Sequence, residues 1–409
     1  MQYWPDATGS PMIRIALIAA IVAGVQLFGM APASAETPTA CAYLSRVAGA
    51  EASGPIFLAS YPNEKSGPLQ DAAFLYDNAV AAIALVACGD ARRGARIGDA
   101  ILAALDRDRY WHDGRLRNGY LAGPVGSGPL KLTGWWDAKQ NMWVEDRYQV
   151  GSDNGNMAWA MLALLALDRA TNDHRYRDGA VRIGGWVRQW RDPEQPGGFR
   201  GGTFAHEPVP VVEPWKSTEH NTDLVAAFAG LAQATADDSW LIEARAAQDF
   251  VEAMWRPECG CFAVGTVEDG KTRNSYLALD AQTWPLLAIP GAAARYDTAM
   301  APGPLRDGDG FAYSEAKEGL WTEGTAQVAL LLALSGRDAA AFMKAVDAMQ
   351  AADGSYYAAN TRTLPTGFML ETDPAQPRQY FHIAHLAAVS WAAIAGQRYN
   401  PFTGTHGLP

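Results

Sequence analysis

Apolar residues at helical spacing recur in six pairs of segments, a pattern that leaves the chain few architectures. The first member of each pair is rich in Ala, Leu and Met and apolar around most of its circumference: residues 72–88, 156–170, 223–236, 281–289, 324–335 and 382–395. The second is more charged and amphipathic: 92–107, 174–190, 240–255, 292–300 and 338–350, with 39–50 available as the sixth. A helix lacking a polar stripe belongs inside, and one with a stripe belongs outside. Short turns such as Gly89-Asp90 and Ser335-Gly336 join the members of a pair, whereas long Gly- and aromatic-rich links, such as 110–151 and 192–217, join successive pairs. Six pairs closed on themselves make an all-α (α/α)6 toroid, with short β-hairpins in the long loops at one rim. An open TPR-like solenoid is the alternative; the unequal repeat lengths favour closure.

Five of the inner segments are preceded by an acid with amides or aromatics beside it: Tyr76-Asp77-Asn78, Ser152-Asp153-Asn154-Gly155-Asn156, Ser217-Thr218-Glu219-His220-Asn221, Leu279-Asp280-Ala281-Gln282-Thr283-Trp284 and Trp321-Thr322-Glu323-Gly324. Inner helices of a toroid run parallel, so these five carboxyl groups should gather at one rim, with Trp135, Trp136, Trp143, Trp215, Trp284 and Trp321 nearby. One reading is helix capping, which suits Asp153; at Glu219 and Glu323 the preceding Thr218 and Thr322 are the better caps. The other reading is a carbohydrate site, because acids and amides bind hydroxyl groups and ring faces stack on a sugar. Cleaving a glycoside needs one protonated and one ionised carboxyl group. Glu323, beside Trp321, is the candidate acid. Asp153 or Glu219 is the candidate base, the other orienting it. Asp77, Asn78, Asn156, His220, Asn221, Asp280, Gln282, Trp136, Trp215, Trp284 and Trp321 are the candidate substrate-binding residues. His382 and His385, placed at the start of the last inner helix, face a ligand, or hold a metal with a third ligand from elsewhere, or serve packing where the ring closes, the reading favoured here.

No metal or cofactor is expected: the sequence has no HExxH, CxxC pair, GxxxxGK or GxSxG motif. A net charge of -11 argues against nucleic acid or anionic lipid as partner. Arg14, the apolar stretch 15–30 and Ala33-Ser34-Ala35 read as a signal peptide over 1–35, leaving one domain over 36–409 in the periplasm or outside the cell, without stable membrane association after cleavage; an uncleaved anchor is the alternative. Export permits disulfides. Cys41 with Cys88 would tie the first mature helix to the end of the next. Cys259 and Cys261 could bond each other only in a tight ring, and free thiols are the other reading.

These five acid motifs, together with the closing Tyr399-Asn400-Pro401-Phe402, resemble those of exported bacterial proteins of the six-hairpin glycosidase superfamily over residues 71–402. The Trp-Thr-Glu-Gly step, here in the fifth hairpin, is also similar to the Ser-Glu-Gly step that holds the catalytic acid of bacterial cellulase and chitosanase-type enzymes. The resemblance implies an (α/α)6 fold and carbohydrate chemistry, often inversion by a Glu/Asp pair. The leading expectation is a glycoside hydrolase that acts on an oligo- or polysaccharide, a β-linked glucan or an exopolysaccharide. The alternatives are a polysaccharide lyase or sugar epimerase that moves protons with His or Tyr, and a non-catalytic glycan-binding accessory protein of polysaccharide biosynthesis.

Overall fold

The computed structural model describes residues 39–51, 53–300, 303–317, 319–370 and 373–409; the leader expected over 1–35 lies outside them. The inner helices are α2 (Leu75–Ala87), α4 (Asn154–Thr171), α6 (Thr218–Thr235), α8 (Asp280–Ala288), α10 (Thr322–Leu334) and α12 (Leu386–Gly396). The outer helices are α1 (Ala40–Gly49), α3 (Ala91–Arg107), α5 (Arg175–Val187), α7 (Ser239–Ala253), α9 (Ala292–Arg295) and α11 (Ala340–Asp347). Each inner helix packs on the next, and α12 packs back onto α2, so the ring closes and an open solenoid is ruled out. The N-terminal α1 packs against α12 and so completes the sixth pair. Every residue from Leu386 to Ala395 of α12 is buried, as a helix apolar all round requires. Among the described residues no helix is long and apolar enough to cross a membrane.

Helices α4, α6, α8 and α10 begin one to five residues earlier than the apolar pattern suggests, because their polar first turns carry the acid motifs. Helix α12 begins later, after both histidines, and α9 is one turn long, followed by a 3-10 turn, Asp297–Met300. The segment entering each of the first five inner helices pairs antiparallel with a later link, and Ala384, entering the sixth, bridges back to Tyr357. Ala72–Phe74 pairs with Gly119–Leu121, and Ser152–Asp153 with Gly202–Phe204; single bridges join Ser217 to Gly265, Ala278 to Ser314 and Trp321 to Ala359. These bridges hold the backbone on which the acids sit. At Gly265 (φ +145°) a Cβ would come within 2.0 Å of the Lys216 carbonyl oxygen, so only glycine admits the crossing. One larger element escaped the sequence reading: a long hairpin, Thr363–Leu370 with Asp373–Phe381.

Both cysteine pairs are disulfides, Cys41–Cys88 and Cys259–Cys261, so the free-thiol reading is overturned. The long links are pinned by Arg117, which is fully buried. Its guanidinium donates to Asp108 (2.5 and 2.9 Å), to Glu207 (3.0 Å) and to the Val150 carbonyl (3.2 Å). Removing one partner of a buried ion pair strands the others without solvent. Arg117→Ala should therefore destabilise the fold by about 3–5 kcal/mol, read by denaturant unfolding. A loss below 1 kcal/mol would show that the links hold without it.

Candidate active site

The five acids converge. Asp77, Asp153, Glu219, Asp280 and Glu323 all line one cavity of about 500 Å³ at the N-terminal ends of α2, α4, α6, α8 and α10. None of the five carboxyl groups makes the N-cap bond of its helix. Asp153 occupies the N-cap position of α4 but makes no cap bond; its carboxylate accepts from Asn118 Nδ2 (2.8 Å). The neighbouring threonines do not cap either: Thr218 donates to the Ala263 carbonyl and Thr322 to the Tyr357 carbonyl, both at 2.6 Å. Ser217 is the cap of α6.

The candidate amides divide. Asn156 lines the cavity and donates to Asn118 Oδ1 (2.8 Å). Asn78, Asn221 and Gln282 are fully buried behind it and are corrected from substrate binders to struts. Each side-chain amide pairs with both backbone groups of one residue in the preceding link: Asn78 with Leu58 (2.8 and 3.0 Å), Asn221 with Phe199 (2.8 and 3.1 Å), Gln282 with Phe262 (2.8 and 2.8 Å). Buried backbone groups demand such partners, and these amides have little capacity left for a ligand.

The aromatics divide too. Trp284 and Trp321, each 1% exposed, line the cavity with Trp159; among the described residues the indole N–H groups of Trp284 and Trp321 have no partner. Trp215 lines it half-buried, its ring 5.4 Å from that of His220. His220 lines it as well, fitted over Gly155, where a Cβ would lie 2.4 Å from the imidazole. Trp136 is outside the cavity, on the exposed hairpin Trp135–Asp137/Met142–Val144. It is 58% exposed and meets solvent beside the cavity rather than inside it.

The sequence reading missed Tyr61, Tyr76, Tyr148, Tyr313, Tyr380 and Arg378 as lining residues and left His385 undecided. His382 turns away, with Nδ1 2.7 Å from the Ala359 carbonyl and its ring stacked on Tyr357. His385 is buried between two acids: Nε2 lies 3.2 Å from Asp77 Oδ2 and Nδ1 3.1 Å from Glu323 Oε1. Tyr61 stacks on its ring at 4.6 Å. Burial opposes an imidazolium there, but Asp77 and Glu323 more than offset it and raise His385 to about 10. Glu323 also accepts from the Tyr76 hydroxyl (3.2 Å), which itself accepts from Trp391 Nε1 (2.8 Å).

Glu219 stands in a different field. Burial pushes it up to about 7, against the pull of Arg378 and with Glu323 and Asp153 adding. Burial, with Glu219 and Glu323 nearby, raises Asp280 well above the carboxylate range. Burial and Arg378 lower His220 to about 4, so its ring is neutral. The cavity therefore combines proton-holding carboxyl groups with a carboxyl group flanked by donors.

No protein-family model matches the chain, and no curated protein does. Solved structures are similar in fold. An α-amylase from Clostridium perfringens superposes with a TM-score of 0.58 at 9% identity, covering 87% of this chain and 96% of that one. A wild-type glycosidase does so at 0.54 and 16%, covering 88% and 97%. A family 76 glycoside hydrolase from a bovine Bacteroides thetaiotaomicron strain does so at 0.55 and 11%, covering 87% and 76%. At such identities the likeness is one of fold: the chain shares the six-hairpin (α/α)6 toroid of these proteins.

Proposed function

We propose that the protein is an exported glycoside hydrolase acting on a bacterial glucan or exopolysaccharide, with Glu219 as general acid and Glu323 as the ionised partner. The observation that carries this is the split between two carboxyl groups of one aromatic-floored cavity. Glu219 is held near neutrality by burial, whereas Glu323 faces a phenol and an imidazolium. Hydrolysis of a glycosidic bond uses that division: the acid protonates the departing oxygen while the carboxylate activates water or attacks carbon. The roles are the reverse of those the sequence suggested for Glu323, because the Trp beside it is joined by donors that a linear motif does not display. Asp77, Asp153 and Asp280, with Asn156, fit hydroxyl groups of the sugar. The two disulfides support an oxidising compartment.

The lyase or epimerase reading fits less well. His385, raised to about 10, is a poor base, and burial raises Tyr61, Tyr76, Tyr313 and Tyr380 well above their ordinary range. The solved neighbours include an α-mannanase, an α-amylase and a glycosidase bound to glucose, so α- and β-linked polymers both belong in the test. Incubation with a panel of such glucans and exopolysaccharides should release new reducing ends without unsaturated products. Unsaturated products would select the lyase, and turnover of no member would leave the glycan-binding reading.

A further inference from the structure

We propose that the exposed face of the hairpin Trp135–Asp137/Met142–Val144 is a distal sugar subsite, and that the substrate is a chain long enough to run from the cavity across it. Trp136 and Trp143 are directly opposed in the strand register, so their side chains leave the same face of the ribbon. They are 58% and 51% exposed, whereas Trp135 and Val144, on the other face, are half-buried. More than half of each tryptophan meets water, on the side of the ribbon opposite its half-buried face. Large exposed apolar groups of this kind mark binding surfaces.

The ring of Trp143 is seated rather than loose. It lies over Gly134, where any Cβ would come within 2.6 Å of its Nε1 and displace it. A flat aromatic face held in place is what stacking on a sugar ring needs. Both tryptophans are more than half exposed, so each has a face to offer.

The platform is continuous with the cavity. Its second strand leads into 145–149, of which Asp146, Tyr148 and Gln149 line the cavity. Its first strand packs beside the turn Gly67–Leu69, where Pro68 and Leu69 also line it. Gln149 Nε2 donates to the Pro68 carbonyl (2.7 Å) and locks the two approaches together. From Tyr148 to Trp143 the backbone can span at most about 17 Å, so a glycan leaving the cavity reaches the indoles within a few sugar rings. A short oligosaccharide held among the five acids does not reach them. This assignment rests on the proposed carbohydrate site, and it places the subsite where only a polymer fills both.

The test pairs a Trp136→Ala/Trp143→Ala variant with a Trp136→Tyr/Trp143→Tyr variant, compared with wild type for retention on immobilised polysaccharides of the panel and for hydrolysis of polymer against short oligosaccharides of the same linkage. The alanine variant should lose retention and show a KM for polymer raised about tenfold, the sum of two modest stacking contacts. Its kcat, and both constants on short oligosaccharides, should stay as in wild type, and the tyrosine variant should retain most of the binding. Turnover with polymer KM unchanged in the alanine variant would overturn the subsite alone. Retention lost in that variant without turnover by any form would keep the subsite and overturn the hydrolase. Wild type held by no polysaccharide, or polymer and oligosaccharide kinetics impaired alike, would overturn the subsite.

Discussion

Glu219→Gln should lower kcat by about 10²–10⁴-fold, erase the alkaline limb of the pH–rate profile and make the protein more stable above neutrality. The three effects have one cause. Burial raises Glu219 to about 7, so below that pH it carries the proton a departing glycosidic oxygen needs, and above it the proton is gone. In the unfolded chain the same carboxyl group ionises near 4.5. The folded state thus holds more protons between those values, and the stability associated with this is complete below the ordinary carboxylate range and lost as pH rises through 7. Glutamine cannot ionise and escapes that loss. For a group that is partly solvated, the gain at pH 8 should be about 1–3 kcal/mol, with little gain at pH 4. Thermal unfolding of both forms at the two pH values, beside kcat across pH, checks it. A variant that keeps its alkaline limb, or is no more stable at pH 8, would assign the proton to another group, and Asp280 is then the next candidate.

The twelve helices of the ring among the described residues were legible because periodicity reports which faces are buried, and the ring closes as the unequal repeats led one to expect. The convergence of the acids followed from that topology alone, since parallel inner helices place equivalent positions at one end. What adjacency in sequence could not show is direction. Asn78 follows Asp77, and Gln282 lies two residues after Asp280, yet each amide turns outward to bond the incoming link while the acid turns inward. A helical step of one or two residues rotates a side chain through a large angle, so motif neighbours are seldom site neighbours. The groups that decide the chemistry came from far away in the chain. His385 is 308 residues from Asp77, and Tyr76 is 247 from Glu323. The long hairpin that brings Arg378 and Tyr380 to the cavity carries no alternating pattern, since Pro365, Gly367, Pro374 and Pro377 interrupt both strands, so there is no strand signal to read there.

Glu323→Gln should abolish turnover, by about 10³-fold or more, while Tyr76→Phe should cost about 10- to 100-fold in kcat with KM nearly unchanged. The direction of the hydrogen bonds carries this. An indole N–H can only donate, so Trp391 gives its proton to the Tyr76 oxygen, and the single phenolic proton is committed to Glu323 Oε2. On the other oxygen stands His385, an imidazolium whose second N–H is engaged by Asp77. A carboxyl group held between a phenol and an imidazolium is fixed in one orientation, with its remaining lone pairs turned to the cavity. Removing the phenol deletes one bond to a charged group, about 1.5–3 kcal/mol, and leaves the carboxylate less well aimed without altering the walls that hold the sugar. Full activity in Tyr76→Phe would show that the phenol merely fills space. Residual activity in Glu323→Gln comparable to wild type would move the ionised role to Asp153, the other acid beside Glu219.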